Sequence, residues 1–124
     1  MQTIILNWLR TVPGLEKLTA EWLGEFPGCA GLFYQGTQVV SRTVDILGNA
    51  ILRKRMRWKI MSRDTKPVTI DPTTAPQLGL LQTVQVEKTR LVHLDEMEIP
   101  SWETELAVEY TAVLEEAEVA DEKL

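Results

Sequence analysis

Ile51-Leu52-Arg53-Lys54-Arg55-Met56-Arg57-Trp58-Lys59-Ile60-Met61 is the stretch on which the reading of this chain turns. Taken as a strand, it has two faces. Arg53, Arg55, Arg57 and Lys59 point one way; Leu52, Met56, Trp58 and Ile60 point the other, with Lys54 the only intruder. A period of two marks a strand with one wet and one buried face. Four cations at every second position repel one another unless something negative lies opposite them.

The closing stretch 101–114 supplies a counterpart. Trp102, Thr104, Leu106, Val108, Tyr110, Ala112 and Leu114 share one face, and Glu103, Glu105 and Glu109 the other. Between the two lies a wider asymmetry. Seven of the thirteen Lys/Arg fall between Arg53 and Lys66 with only Asp64 among them, and eleven of the eighteen acids fall between Asp95 and Glu122 with no base among them. Such segregation suits parts of a chain that meet each other, or meet neighbouring copies. The net charge of −5 argues against nucleic-acid or anionic-membrane binding by the whole surface.

The remaining segments fit around these two strands. Residues 3–12 read as a short amphipathic helix with Ile4, Ile5, Trp8 and Leu9 on one face, Thr3 as its cap and Pro13-Gly14 as its stop. Residues 15–23 are a weak strand or a turn, and Phe26-Pro27-Gly28 a loop. Residues 29–47 are extended, with a turn or bulge at Gln35-Gly36. Gly48-Asn49 makes 37–47 and 50–63 an antiparallel hairpin. Residues 64–79, with Pro67, Pro72, Pro76 and Gly79, break regular structure; a connection this long is often mobile or functional. Residues 80–94 resume as a strand, with Val84, Val86, Val92 and Leu94 on one face and Lys88 and Arg90 interrupting it. The sum is an α+β fold: a mostly antiparallel sheet of four to five strands with the N-terminal helix packed on one face. It forms one domain over 1–114, followed by a flexible acidic tail at 115–124.

No arrangement of catalytic residues emerges. Cys29 is the sole cysteine and reads as a small buried or half-buried thiol in a reducing compartment. His93 has no partner at metal-ligand or general-base spacing, and Asp95, Glu96 and Glu98 beside it read as a solvated turn without the spacing of a calcium loop. Gly31 to Gly36 lacks the ending of a phosphate loop, and Ser41, Ser62 and Ser101 lack a nucleophile elbow. Trp8, Trp22, Trp58 and Trp102 read mostly as core. No apolar run approaches the roughly 20 residues of a membrane span. The first ten residues have no basic region ahead of their apolar stretch and do not read as a signal peptide. No cofactor and no metal are expected. The basic row has three readings: a solvated strand face, a nucleic-acid surface, or one half of a charge match with Glu103, Glu105 and Glu109, within a subunit or between copies. The third is favoured, because aromatics are not interleaved on the basic face and the helix of a common groove reader is absent.

The order of motifs resembles a known family. Trp-Leu-Gly-Glu-x-Pro-Gly (22–28), Ala-Gly-Leu-Phe-Tyr-Gln-Gly (30–36), Val-Asp-Ile-Leu-Gly-Asn (44–49), the basic strand and Glu-Leu-Ala-Val-Glu-Tyr-Thr (105–111) are similar to the tail-terminator proteins of siphophages and related contractile-tailed phages, often labelled minor capsid proteins. The resemblance covers most of 1–63 and 76–112. It implies an α+β virion subunit, not an enzyme, that is made in the bacterial host cytoplasm. Such subunits assemble as a hexameric ring at the head–tail junction. That ring caps the tail tube protein, ends tube growth and joins the tail to a neck or head-completion protein, while genomic DNA passes through its lumen without specific binding and no membrane is involved. Members of the family carry a helix after the basic strand; here residues 64–74 are too short and too rich in proline for one, which leaves open how one sheet face is covered. Arg53, Arg55, Arg57 and Lys59 with Glu103, Glu105 and Glu109 are the expected interface residues, and the loop with Lys66, Pro67, Asp71, Pro72 and Pro76 the expected contact with tube or neck. A head-completion or stopper protein is one alternative, and a small nucleic-acid-binding protein using the basic strand another.

Overall fold

The computed structural model describes residues 2–24, 26–87, 89–92 and 100–114. Six strands form one mixed sheet: β1 (Leu18–Ala20), β2 (Ala30–Val44), β3 (Ala50–Arg63), β4 (Leu80–Val86), β5 (Arg90–Val92) and β6 (Ser101–Leu114). Their order is β1-β2-β3-β6-β4, with β5 also on β6. One helix, α1 (Gln2–Leu9), precedes them. The α+β class holds. The expected sheet of four to five strands has six, and β1 adds a parallel pair to an otherwise antiparallel sheet. β1 lies within 15–23, the stretch that reads as a weak strand or a turn, and only three of its residues pair.

Alternation in β3 is as its sequence suggests. Leu52, Met56, Trp58, Ile60 and Ser62 are buried while the odd positions are partly or fully open. β3 lies between β2 and β6, pairing with β2 from Ala30↔Ser62 to Val44↔Ala50 and with β6 from Ala50↔Leu114 to Arg63↔Ser101. Two extra residues, Gln35 and Val40, bulge β2. At the first bulge Gly36 has φ +112°, a conformation that side-chain-bearing residues rarely adopt.

The even-numbered face of β3 and β6 packs on α1 and on the chain that follows it. Trp58, Ile60, Leu106 and Val108 meet Ile5, Trp8, Leu9, Val12, Leu15 and Leu18. The helix begins at Gln2, so Thr3 lies inside it and does not cap it. Its buried face is Ile5, Trp8 and Leu9; Ile4 is 47% exposed. At about 100° per residue, Trp8, Ile5 and Leu9 fall within one arc of the helix, and Ile4 lies outside its edge.

Residues 64–79 close the other half of this face. Val68 and Ile70 are buried in the core, and Ala75 and Leu78 pack against it. Thr89 Oγ1 donates to Val68 O, and Trp8 Nε1 donates to Thr74 Oγ1 at 2.9 Å. A segment without an α-helix, irregular apart from the 3-10 turn Pro72–Thr74, therefore covers this half of the sheet face with Val68 and Ile70 at alternate positions. Gly79 passes so close over Tyr110 that a Cβ would lie 2.3 Å from its ring.

The expected single strand 80–94 is two. From β4 to β5 the register on β6 slips by one residue, from Val86↔Leu106 to Arg90↔Glu103. A one-residue slip exchanges faces. It moves Arg90 to the polar side, where the sequence pattern had it interrupting an apolar face, and it turns Val92 away from the face of Val84 and Val86. Expectations for Lys88, His93, Leu94, Asp95, Glu96, Glu98 and the tail 115–124 fall outside the described residues.

Candidate interaction surface

The polar side of the sheet carries both charged rows, and the register brings them together. Arg55 lies opposite Glu109, and Lys59 opposite Glu105. Arg53 Nε reaches Glu109 Oε1 at 3.0 Å, and Arg55 Nη2 reaches Glu109 Oε2 at 2.9 Å. Arg53 extends further across β6, where its Nη1 donates to Thr111 Oγ1 at 3.0 Å and to Leu81 O at 2.7 Å. Lys59 passes over its direct neighbour Glu105 and meets Glu103 diagonally, Nζ to Oε1 at 3.0 Å; Arg90 Nη2 meets the other oxygen at 3.1 Å. Diagonal neighbours in an antiparallel pair are within reach of long side chains.

Two clusters result, Arg53–Glu109–Arg55 and Lys59–Glu103–Arg90. The two guanidinium groups hold the Glu109 carboxyl below the ordinary glutamate value. Burial alone would raise Glu103, but the contacts from Lys59 and Arg90 outweigh it and the net shift is downward. Between the clusters the ladder is open. Arg57 faces Ala107 across the strands. With Gln35, Arg55, Gln85, Glu87 and Glu105 it lines a shallow groove of about 370 Å³. Among the described residues, neither Arg57 nor Glu105 has an ion-pair partner within 4 Å.

Arg63, the last of the basic run in β3, has a structural role. Its Nε donates to Gly24 O and its Nη1 to Ser101 Oγ, fastening the loop before β2 to the start of β6. Lys66, Pro67, Asp71 and Pro72 are exposed and Pro76 is half-buried, along the outer side of the covering segment.

Sequence reasoning missed the apolar surface. Beyond Leu32, β2 has no strand on its outer side among the described residues. Tyr34 N is capped there by Glu21 Oε1 at 2.8 Å, and from Thr37 to Val44 every residue is exposed. Val39, Val40 and Val44 lie in this arm, and the turn beyond it bears Ile46 and Leu47 at 102% and 80% exposure. Leu80, Leu81 and Val113 are exposed at the same end of the sheet, beyond β3 from this arm. Trp22 and Phe26, read as core and loop, are exposed as well. The β-branched run Val39-Val40 and the pair Ile46-Leu47 were visible in the sequence, but only the structure shows that no described residue covers them. The hairpin turn itself is built by Asp45, whose Oδ1 accepts from the backbone N–H of Leu47 and of Asn49, both at 2.9 Å. Among the described residues no three His, Cys, Asp or Glu side chains gather as a metal-binding group.

No family model matches this sequence, and neither a curated protein nor a solved structure matches it.

Proposed function

We propose that this chain is a self-assembling structural subunit of the tail-terminator kind. It would form a homo-oligomeric ring, hexameric by the resemblance, that ends tail-tube growth and joins tail to head in the virion. The observation that carries the reading is the division of its surface. Arg53, Arg55 and Lys59 are already bound to Glu103 and Glu109 within the subunit, whereas the aliphatic side chains of the β2–β3 arm are exposed. Contiguous exposed apolar residues mark interaction sites more often than solvated surface does. The order of motifs along the chain names the kind of assembly. On this reading the tube and neck proteins meet the outer side of 64–79, with Lys66, Pro67, Asp71, Pro72 and Pro76, and genomic DNA slides through a net-negative lumen.

The nucleic-acid reading has less support, because three of the row's four cations are engaged by carboxylates and, among the described residues, Arg57 alone of the four has no ion-pair partner. A head-completion or stopper connector uses similar surfaces, and labelling the subunit in an imaged virion separates the two. The first test is the native mass of the purified protein across a concentration series. Oligomers of one defined size are expected; a species that stays at the 14.1 kDa monomer mass at high concentration, with or without tube protein, overturns the ring.

A further inference from the structure

Among the described residues the sheet ends in two edges that carry no further strand and that suit each other. One is β2 from Gln35 to Val44, past the end of β1 and past the Tyr34 N–H that Glu21 caps. The other is β4, Leu80–Val86, the last strand in the order on the far side of β6. An exposed edge is a template for pairing with another chain, and proteins that avoid such pairing place charges or prolines there. These edges hold neither in any number. The ten residues of one and the seven of the other include a single charge, Arg42, and no proline, in a chain of which 25% is charged. The bulges at Gln35 and Val40 sharpen the twist of β2, and among the described residues no strand pairs with its outer backbone groups there.

Direction fits too. β3 is antiparallel to β2, β6 to β3 and β4 to β6, so β2 and β4 run in opposite senses. A copy placed beside the first by rotation, in the same orientation, sets its β4 antiparallel to the first copy's β2. Such a contact joins two different surfaces and closes into a ring when the rotation allows.

We propose that the β2 edge, Gln35–Val44, pairs with the β4 edge, Leu80–Val86, of a second copy of this chain, so that one sheet runs across the subunit boundary. The proposal rests on the self-assembling reading above and names the surface by which it happens. Val40, Val44 and Leu81, exposed in the single subunit, lie along this seam.

The test uses two double variants at exposed positions, V40K/V44K on one edge and L81K/Q85K on the other, each checked for an unchanged circular dichroism spectrum and then weighed by native mass spectrometry. With the wild type oligomeric, each variant alone is expected to fall to monomer. An equimolar mixture is expected to give a heterodimer and nothing larger, because one intact edge of each kind remains. Variants that keep the wild-type mass, or a mixture that stays monomeric, overturn the edge pairing and leave the ring reading standing. A β4 variant that forms dimers on its own, in or out of the mixture, points to pairing of β2 with β2 and equally overturns it. A wild type that is monomeric at every concentration overturns both.

Discussion

Glu109 holds two guanidinium groups at once, and it does so at a strand position where sequence alternation alone places a carboxylate opposite a row of cations. Its partners Arg53 and Arg55 are a fifth to a third exposed, so solvent screens the attraction. Replacing Glu109 by Gln is expected to cost about 0.5–1 kcal/mol at neutral pH, in the range of partly exposed ion pairs. The pH dependence has a definite sign. Glu109 and Glu103 both titrate below the ordinary value of 4.5 in the folded chain. A carboxyl that takes up its proton less readily when folded adds stability that is complete above the unfolded value and is lost as pH falls through the folded one. Urea midpoints measured at descending pH are therefore expected to drop below pH 4.5, and to drop less steeply in Glu109→Gln. Equal slopes in both proteins would show that the cluster contributes nothing to acid lability. The pairing of rows was legible because it needs only parity. Which glutamate each cation takes was not: Lys59 bypasses Glu105 for Glu103, and Arg90 reaches Glu103 only through a one-residue slip that no local pattern announces.

At the scale of elements, the segment 64–79 reads as a connection in the sequence and behaves as a layer of the core in the structure. Its prolines exclude a central strand and any helix beyond the single 3-10 turn Pro72–Thr74. They do not exclude an extended run lying across a sheet, with Val68 and Ile70 directed inward at alternate positions. Four apolar side chains spread through sixteen residues are too sparse to register as a period. Ile70→Ala is expected to destabilise by about 2–4 kcal/mol, the range of buried aliphatic truncations. Thr69→Ala, at the exposed position beside it, is expected to stay within about 0.5 kcal/mol. Comparable losses from the two, read from denaturant midpoints, would mean that the segment does not pack as a layer. The helix shows the complementary lesson. Its existence follows from Ile5, Trp8 and Leu9, but the mate that buries them, a sheet face shared with 64–79, is a tertiary fact, and so is the exposure of Ile4.

For the whole molecule the question is which of two surfaces joins copies, and ionic strength separates them. The charged rows were one expected interface, between copies or within one. Within the subunit they already form two three-membered clusters, and among the described residues of this face Arg57, Glu105 and Glu87 line an open groove between them. An interface made by such exposed charges weakens as the screening length contracts, from about 10 Å at 0.1 M salt to about 3 Å at 1 M. An interface made by backbone hydrogen bonds and aliphatic side chains along β2 and β4 has almost no net charge to screen, and salts that strengthen apolar burial reinforce it. The oligomer is therefore expected to keep its mass, by sedimentation velocity, from 0.1 M to 1 M sodium chloride. Arg57→Glu is expected to leave that mass unchanged, since Arg57 lies in β3, inward of both edge strands, and makes none of their backbone pairings to a neighbour. Dissociation at high salt together with sensitivity to Arg57→Glu would move the contact from the sheet edges to the charged face, and the basic strand would then act between subunits.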